Sequence, residues 1–195
     1  MPLINFAARE INYKIVYYGC GLCGKTTNIQ YIHKKVNPNA RGKLVSIATE
    51  EERTLYFDFL PLTLGTVKGM KTRFHLYTVP GQSYYNASRR LVLQGVDGIV
   101  MVADSQITRL DENVESYLNL WDNLLDQGDD LTRLSFVIQL NKRDLTDIFS
   151  AEDLKELLNH TNSPVTEACA LTGQGVFETL KTVCKQVIAK TGQAS

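Results

Sequence analysis

The sequence predicts an α/β protein with a doubly wound, mostly parallel sheet and one antiparallel hairpin strand. Apolar strands alternate with amphipathic helices along the 195 residues, a pattern typical of strand–helix–strand units. A glycine-rich loop joins the first long strand to the first helix, and no repeat, linker or low-complexity segment interrupts the alternation. We therefore expect a single domain spanning residues 1–195.

The first half of the chain combines strands with a loop and a hairpin. The polar, charged stretch from Asn37 to Glu52 indicates a mobile loop, and Gly65 and Gly69 are expected to turn an antiparallel hairpin. The expected elements are an extra edge strand around Ile4 and Phe6, a strand at 11–18, a helix at 27–36, and hairpin strands at 55–62 and 71–79.

The second half continues the alternation of strands and helices. Ser150 is expected to cap a helix, because Asp153 follows it at the spacing of a capping box. The expected elements are a short helix at 84–93 that ends before Gly95, a buried strand at 98–104, a helix at 110–125, a strand at 134–140, the helix after Ser150, a strand at 165–170 and a final helix from Val176.

Residues 19–26 (GCGLCGKT) match the phosphate-binding loop pattern G-x-x-x-x-G-K-[ST] at every fixed position. Glycines let the backbone wrap so that successive N–H groups face phosphate oxygens, and the following helix N-terminus favours the anion. Lys25 would bring positive charge to the outer phosphates, and Thr26 a hydroxyl for Mg²⁺. The expected phosphate contacts are Gly19, Cys20, Gly21, Leu22, Cys23, Gly24, Lys25, Thr26 and Thr27.

Asn141, Lys142 and Asp144 form an N-K-x-D sequence directly after an apolar strand. This places them at the carboxyl edge of the sheet, where open α/β folds bind ligands. Asp144 can accept hydrogen bonds from the ring N–H and the amino group of guanine, which adenine lacks, and such discrimination reaches roughly 10⁴-fold. The stem of Lys142 can lie along the base, and Asn141 can bridge base and phosphate loop. The sequence therefore predicts GTP and GDP as ligands.

With these motifs the chain resembles the Ras-like small GTPases, over roughly residues 10–190. Residues 78–82 (TVPGQ) occupy the place of that family's Asp-x-x-Gly-Gln motif, and residues 169–173 (CALTG) match its Ser-Ala-x motif. The resemblance implies the small G-protein fold, an amide from Gly81 to the γ-phosphate, and a water oriented by Gln82. It also implies backbone contacts to guanine at Ala170 and Leu171.

One departure from the family pattern narrows the resemblance. Thr78 stands where the family has the aspartate that holds Mg²⁺ through water. Together with residues 53–62 and 74–82, this is similar to the bacterial MglA group, which are Ras-like switches of cell polarity and of gliding or twitching motility.

The presence of Thr78 in place of the aspartate affects the expected magnesium site. The resemblance implies Thr26 and the switch threonine as ligands, and Thr54 is preferred over Thr49 for that role. Asp58 lies in an otherwise apolar strand, where an acid is costly unless it is paired. It either replaces the missing carboxylate or points to solvent from an edge strand, and the sequence leaves both open.

Arg53 is the second expected catalytic residue, beside Gln82. In MglA-like proteins an arginine at this position acts in cis on the γ-phosphoryl group, where such a charge is worth roughly 10³–10⁵ in rate. The resemblance further implies a Roadblock-type activator homodimer, similar to MglB, that repositions this arginine. On the residues alone, Arg53 would be a surface charge beside three glutamates.

Three functions are compatible with these features. The first is a GTP-hydrolysing switch that binds polarity or motility effectors in its GTP form and hydrolyses slowly without its activator. The second is a GTP-gated scaffold with negligible hydrolysis, because Thr78 would weaken metal binding. The third is a P-loop kinase or ATPase, which the N-K-x-D motif disfavours. Gln82 and Arg53 favour the switch.

Composition and termini set the remaining expectations. Balanced charge, with 21 basic and 21 acidic residues, gives no electrostatic reason to expect nucleic acid. No myristoylation glycine or prenylation box is present, so we expect no lipid anchor. We expect a cytoplasmic protein, monomeric when free, that partners recruit to the cell pole in the GTP state. Cys20 and Cys23 are either small packing residues of the loop or redox-sensitive thiols.

Overall fold

The fold is an eight-stranded sheet with helices on both faces, seen in a computed structural model that describes residues 2–47, 57–82 and 85–193. The strands are β1 Leu3–Asn5, β2 Glu10–Tyr18, β3 Val45–Ile47, β4 Phe57–Val67, β5 Met70–Thr78, β6 Gly98–Asp104, β7 Ser135–Asn141 and β8 Val165–Glu167. The α-helices of the described part are α1 Lys25–Lys35, α2 Asn86–Leu93, α3 Leu110–Leu125, α4 Ala151–Leu158 and α5 Val176–Gln193.

The sheet order is β3-β4-β5-β2-β6-β7-β8, and β1 pairs with the start of β2. Strands β5, β2, β6, β7 and β8 run parallel, whereas β1, β3 and β4 pair antiparallel with their neighbours. This confirms the doubly wound, mostly parallel sheet with its hairpin. The parallel strands therefore share one carboxyl edge, which positions the site.

The core lies on both faces of the central strands. Along β2, Tyr13, Ile15 and Tyr17 face α1 and α5, while Val16 and Tyr18 face α2, α3 and α4. All five side chains are buried, as expected for a parallel sheet that is covered twice. Within the described residues, no helix is both long and apolar enough to cross a membrane.

Three local expectations need correction. The hairpin turns at Lys68 and Gly69, whose φ angles of 49° and 77° suit a tight two-residue turn. Gly65 does not turn the chain: it lies inside β4, where the pairing register shifts. Part of the expected loop after α1 forms β3, because β4 offers it an edge to pair with.

The strand expected to reach residue 170 ends at Glu167. A side chain replaces the sheet ladder here, because the Ala170 N–H donates to Asn141 Oδ1 at 2.9 Å instead of to a neighbouring strand. The Ser150 cap is confirmed, since its hydroxyl accepts from the Asp153 N–H at 3.0 Å.

Candidate nucleotide-binding site

The expected site residues meet at the carboxyl edge of the parallel strands. The phosphate loop follows β2, Thr78 ends β5, Asp104 ends β6 and Asn141 ends β7. A cavity of about 160 Å³ lies beside the loop on one side, and another of about 250 Å³ lies on the other. Leu22, Gly24 and Thr27 line both cavities.

The phosphate loop has the backbone that its glycines predict. Gly19 and Gly24 have φ angles of 140° and 107°, and Leu22, which is not a glycine, also has a positive φ of 63°. The Lys25 ammonium is buried and lies across the loop, donating to the carbonyls of Gly19 at 2.8 Å and Cys20 at 2.6 Å. The lysine is thus held where the loop wraps around an anion.

Close contacts, with a side chain at Gly24 and with backbone at Gly81, explain two of the glycines. A Cβ built on Gly24 would lie 2.1 Å from Asn141 Nδ2, and one on Gly81 would lie 2.4 Å from the Gly21 Cα. Any side chain at Gly81 would therefore push the segment after β5 away from the phosphate loop.

The smaller cavity collects the residues expected to read guanine. Its lining residues are Leu22, Gly24, Thr27, Asn141, Lys142, Asp144, Leu145, Cys169, Ala170 and Leu171. Asp144 is exposed, so its carboxylate faces this cavity from the rim. A bound base would itself have to shield it from water.

Asn141 and Lys142 tie the guanine-side loops together. Asn141 donates through Nδ2 to the Cys23 carbonyl at 2.8 Å and accepts at Oδ1 from the Ala170 N–H at 2.9 Å. The Lys142 ammonium lies 2.6 Å from the carboxylate of Asp104. Asn141 therefore bridges the phosphate loop and the Ala170 loop, and Lys142 has its charge neutralised while its stem borders the cavity.

Asp58 is buried and points at the phosphate-loop threonine, so the solvent-facing alternative is wrong. Its carboxylate accepts from the hydroxyls of Thr26 at 2.7 Å, Ser46 at 2.7 Å and Thr78 at 3.0 Å, and the side chain of Asp58 is only slightly exposed. The Asp58 N–H also donates to Thr78 Oγ1 at 2.7 Å. A carboxylate thus stands beside the Thr26 hydroxyl, although the residue at position 78 is not an acid.

The expected switch and catalytic residues divide into two groups. Arg53, Thr54 and the competing Thr49 lie outside the described residues. Gly81 and Gln82 are described, and both line a third cavity of about 340 Å³ that also borders Gly21. The structure therefore brings Gly81 and Gln82 to the phosphate loop.

The two phosphate-loop thiols have different environments. Burial would raise the pKa of the Cys23 thiol, but a hydrogen bond with Cys20 and the charge of Lys25, whose Nζ lies 3.6 Å from Sγ, together lower it to about 6. The hydrogen bond with Cys23, and then burial, raise the pKa of Cys20. Cys23 is therefore the thiol of the pair that favours the thiolate.

Sequence reasoning missed three polar residues around the loop. Arg89 donates to the carbonyls of Pro80 at 2.9 Å and Gly81 at 2.7 Å, and Arg109 donates to the Gly21 carbonyl at 2.7 Å. Asp104 is fully buried. An acid that ends an apolar strand at the ligand-binding edge is a signal that could have singled out Asp104. The two arginines are at helix positions that carry no motif.

A comparison with a family sequence profile shows to which protein family the whole chain is related. The profile of the ADP-ribosylation factor family matches residues 3–187 and so includes every loop of the site. The chain belongs to the ADP-ribosylation factor family. Within that family it is an MglA-like small GTPase that binds guanine nucleotides and hydrolyses GTP.

Comparisons with individual proteins support the same family assignment. The chain is 58% identical over 190 residues to the mutual gliding-motility protein MglA of Myxococcus xanthus, with 97% of each chain covered. It is 25% identical over 194 residues to ADP-ribosylation factor-related protein 1 of Rattus norvegicus and of Homo sapiens, with 95% of this chain and 90% of each relative covered. The resemblance to the MglA group is confirmed.

Proposed function

We propose that the chain is a Mg²⁺-dependent GTP switch that controls cell polarity or motility through effectors that bind its GTP form. One observation carries the nucleotide part: loops that follow β2, β5 and β7 converge on two adjoining cavities, one lined by the guanine-reading residues and one by the phosphate loop and Gly81. The motility part is supported by 58% identity to a relative named as a gliding-motility protein. Recruitment to the cell pole in the GTP state belongs to the same proposal.

The residues at the phosphate end suit Mg²⁺. The Thr26 hydroxyl and the Asp58 carboxylate are 2.7 Å apart, and hard oxygen donors of this kind are the ligands that Mg²⁺ prefers. We propose that Thr26 binds the ion directly, that Thr54 joins it in the GTP state, and that Asp58 supplies the carboxylate that Thr78 lacks. When bound, Mg²⁺ would neutralise charge that develops on the phosphates.

The hydrolytic roles follow the resemblance. Gly81 would donate its amide to the γ-phosphate, Gln82 would orient the attacking water, and Arg53 would stabilise the transition-state charge. The location of Gly81 and Gln82 beside Gly21 supports the first two roles. A Roadblock-type homodimer that binds the switch region and β4 would bring Arg53 to the γ-phosphate without inserting an arginine of its own.

A GTP-gated scaffold without hydrolysis is the competing proposal. It rested on a metal site weakened by Thr78, and the hydrogen bond between Asp58 and Thr26 favours the switch over it. The scaffold and the switch differ in one measurable respect, which is the turnover of bound GTP when the activator is present.

Single-turnover GTP hydrolysis, with and without a Roadblock-type homodimer, tests the proposal. Arg53→Ala and Gln82→Ala should each abolish stimulated turnover with GTP affinity nearly unchanged, because both contacts strengthen only as charge develops. The double variant should lose far less than the sum of the two.

Arg133→Ala is the matched control, because the Arg133 side chain is 87% exposed and its ion pair with Asp130 is local. Stimulated turnover within a few-fold of the parent in Arg53→Ala would show that Arg53 is a surface charge. No stimulation of the parent by the homodimer would leave the scaffold as the better description.

A further inference from the structure

Two arginines hold backbone carbonyls on the outer side of the phosphate cavity. Arg109 Nη2 donates to the Gly21 carbonyl at 2.7 Å, and Arg89 Nε donates to the Pro80 carbonyl at 2.9 Å. Both arginines, with Gly21 and Gly81, line the 340 Å³ cavity. Neither arginine lines the 250 Å³ phosphate cavity, which Leu22, Pro80 and Gly81 line.

Because the peptide bond is planar, a hydrogen bond to a carbonyl also orients the N–H group of the next residue. In a trans peptide the C=O and the N–H of the following residue point in opposite directions. A guanidinium that holds the Gly21 carbonyl outward therefore directs the Leu22 N–H inward, to the phosphate side. The Pro80 carbonyl and the Gly81 N–H have the same relation, with Arg89 as the anchor.

Leu22 is the residue that most needs such an anchor. Its φ of 63° is a left-handed conformation, which is strained for a leucine because the Cβ crowds the following carbonyl oxygen. Its side chain is 87% exposed and so gains little from packing that could offset this strain. The hydrogen bond from Arg109 to the preceding carbonyl restrains this peptide.

The position of Arg109 is itself fixed. It ends the short 3-10 helix Ile107–Arg109 before α3, Nη1 lies 2.8 Å from Glu112, and Nε lies 3.9 Å from the buried carboxylate of Asp104. Asp104 also pairs with Lys142 of the guanine-side motif at 2.6 Å. One buried anion thus holds both the arginine behind the phosphate loop and the lysine beside the base.

We propose that Arg109 is a positioning residue for GTP hydrolysis, which holds the Gly21–Leu22 peptide so that the Leu22 N–H donates to the polyphosphate. The inference rests on the proposed GTPase mechanism. When the bond to the γ-phosphoryl group breaks, negative charge grows on the leaving GDP oxygens. A preorganised N–H near them contributes more in the transition state than in the ground state.

The test combines kinetics with an amide resonance. Arg109→Ala should lower the single-turnover rate of GTP hydrolysis about tenfold and weaken GTP binding less than threefold, because the contact acts mainly on developing charge. In ¹H–¹⁵N spectra of the Mg²⁺·GDP complex, the Leu22 amide proton should move upfield relative to the parent. Arg109→Lys, which keeps one donor, should recover part of both effects.

Two variants separate the carbonyl contact from other roles of this arginine. Glu112→Gln weakens one of the two ion pairs that hold Arg109, so it should shift the rate and the Leu22 resonance together, and both by less than Arg109→Ala does. Arg133→Ala controls for loss of a positive charge.

Three outcomes would overturn the proposal. They are a rate within twofold of the parent in Arg109→Ala, a loss that falls entirely on GTP affinity, or a lowered rate with the Leu22 resonance unmoved. If the parent protein did not hydrolyse GTP, the proposed function would be contradicted. The Leu22 amide shift could still be compared between parent and variants, because the GDP spectra do not require hydrolysis.

Discussion

The proposed guanine side and the proposed metal side of the site are built in different ways. On the guanine side, a single amide side chain, Asn141, hydrogen-bonds to backbone atoms of Cys23 and Ala170 and so fixes two loops. On the metal side, the carboxylate of Asp58 gathers hydroxyls from separate elements, among them Thr26 of α1 and Thr78 of β5. The residues proposed to read the base thus form a contiguous motif, whereas the carboxylate proposed to support the metal is positioned by strand pairing.

The pairing shows how a carboxylate can be lost from one strand and supplied by another. Phe59 and Tyr77 are partners in the antiparallel hairpin, and Asp58 and Thr78 are the next residues along it, joined by two hydrogen bonds. Cross-strand neighbours in this position can exchange side chains and still present the carboxylate to Thr26. This supports the proposal that Asp58 replaces the usual aspartate from across the hairpin.

The largest expected effect lies on the guanine side. Asp144→Asn should weaken GTP and GDP binding by roughly 10³-fold or more and relax discrimination against xanthosine nucleotides, because the amide cannot accept both guanine hydrogen bonds. Calorimetry with GDP and with xanthosine diphosphate measures this. Asp147→Asn, in the same loop but outside the cavity, is the matched control. An unchanged guanine preference would refute the assignment of Asp144.

The second largest expected effect is on Mg²⁺ binding and concerns Asp58. Asp58→Asn should weaken Mg²⁺ binding to the GDP complex by about 10–100-fold, which is the usual cost of removing a group that supports a metal site. The exchanged variant, with Asp58→Thr and Thr78→Asp together, should recover most of this loss.

Magnesium titration with a fluorescent GDP analogue measures both variants. Ser46→Ala removes another hydroxyl partner of Asp58 and should have the smaller effect. If the exchanged variant binds Mg²⁺ no better than Asp58→Asn, the carboxylates of the two strands are not equivalent.

The smallest expected effect concerns the thiol of Cys23 in the phosphate loop. Because the pKa of Cys23 is lowered to about 6, its thiolate fraction rises with pH through that value, and its alkylation rate should rise about tenfold between pH 5 and pH 7. Bound GDP should protect it, and modification should block nucleotide binding.

Cys184 is the internal control for this measurement, because burial raises the pKa of its thiol to about 12. Mass spectrometry after iodoacetamide treatment distinguishes the two sites. Equal pH profiles, or full nucleotide affinity after stoichiometric alkylation of Cys20 and Cys23, would leave these cysteines as packing residues.

The sequence by itself determined the parts whose chemistry is local. Glycine placement, apolar runs and helical periodicity depend only on neighbours in the chain. They were enough to predict the strand–loop–helix around residues 19–26, the N-K-x-D loop, and the bounds of β6 and α3. The Ser150 cap is local in the same sense.

Tertiary structure alone decided what depends on residues far apart in the chain. Periodicity could not tell whether Asp58 faced Thr26 or solvent, since an antiparallel register fixes its direction. Nor could any motif reveal Arg109, whose partner Gly21 is 88 residues away in sequence. Hydrogen bonds of this kind form only when strands and helices pack, because packing rather than local sequence brings the donor and the acceptor together.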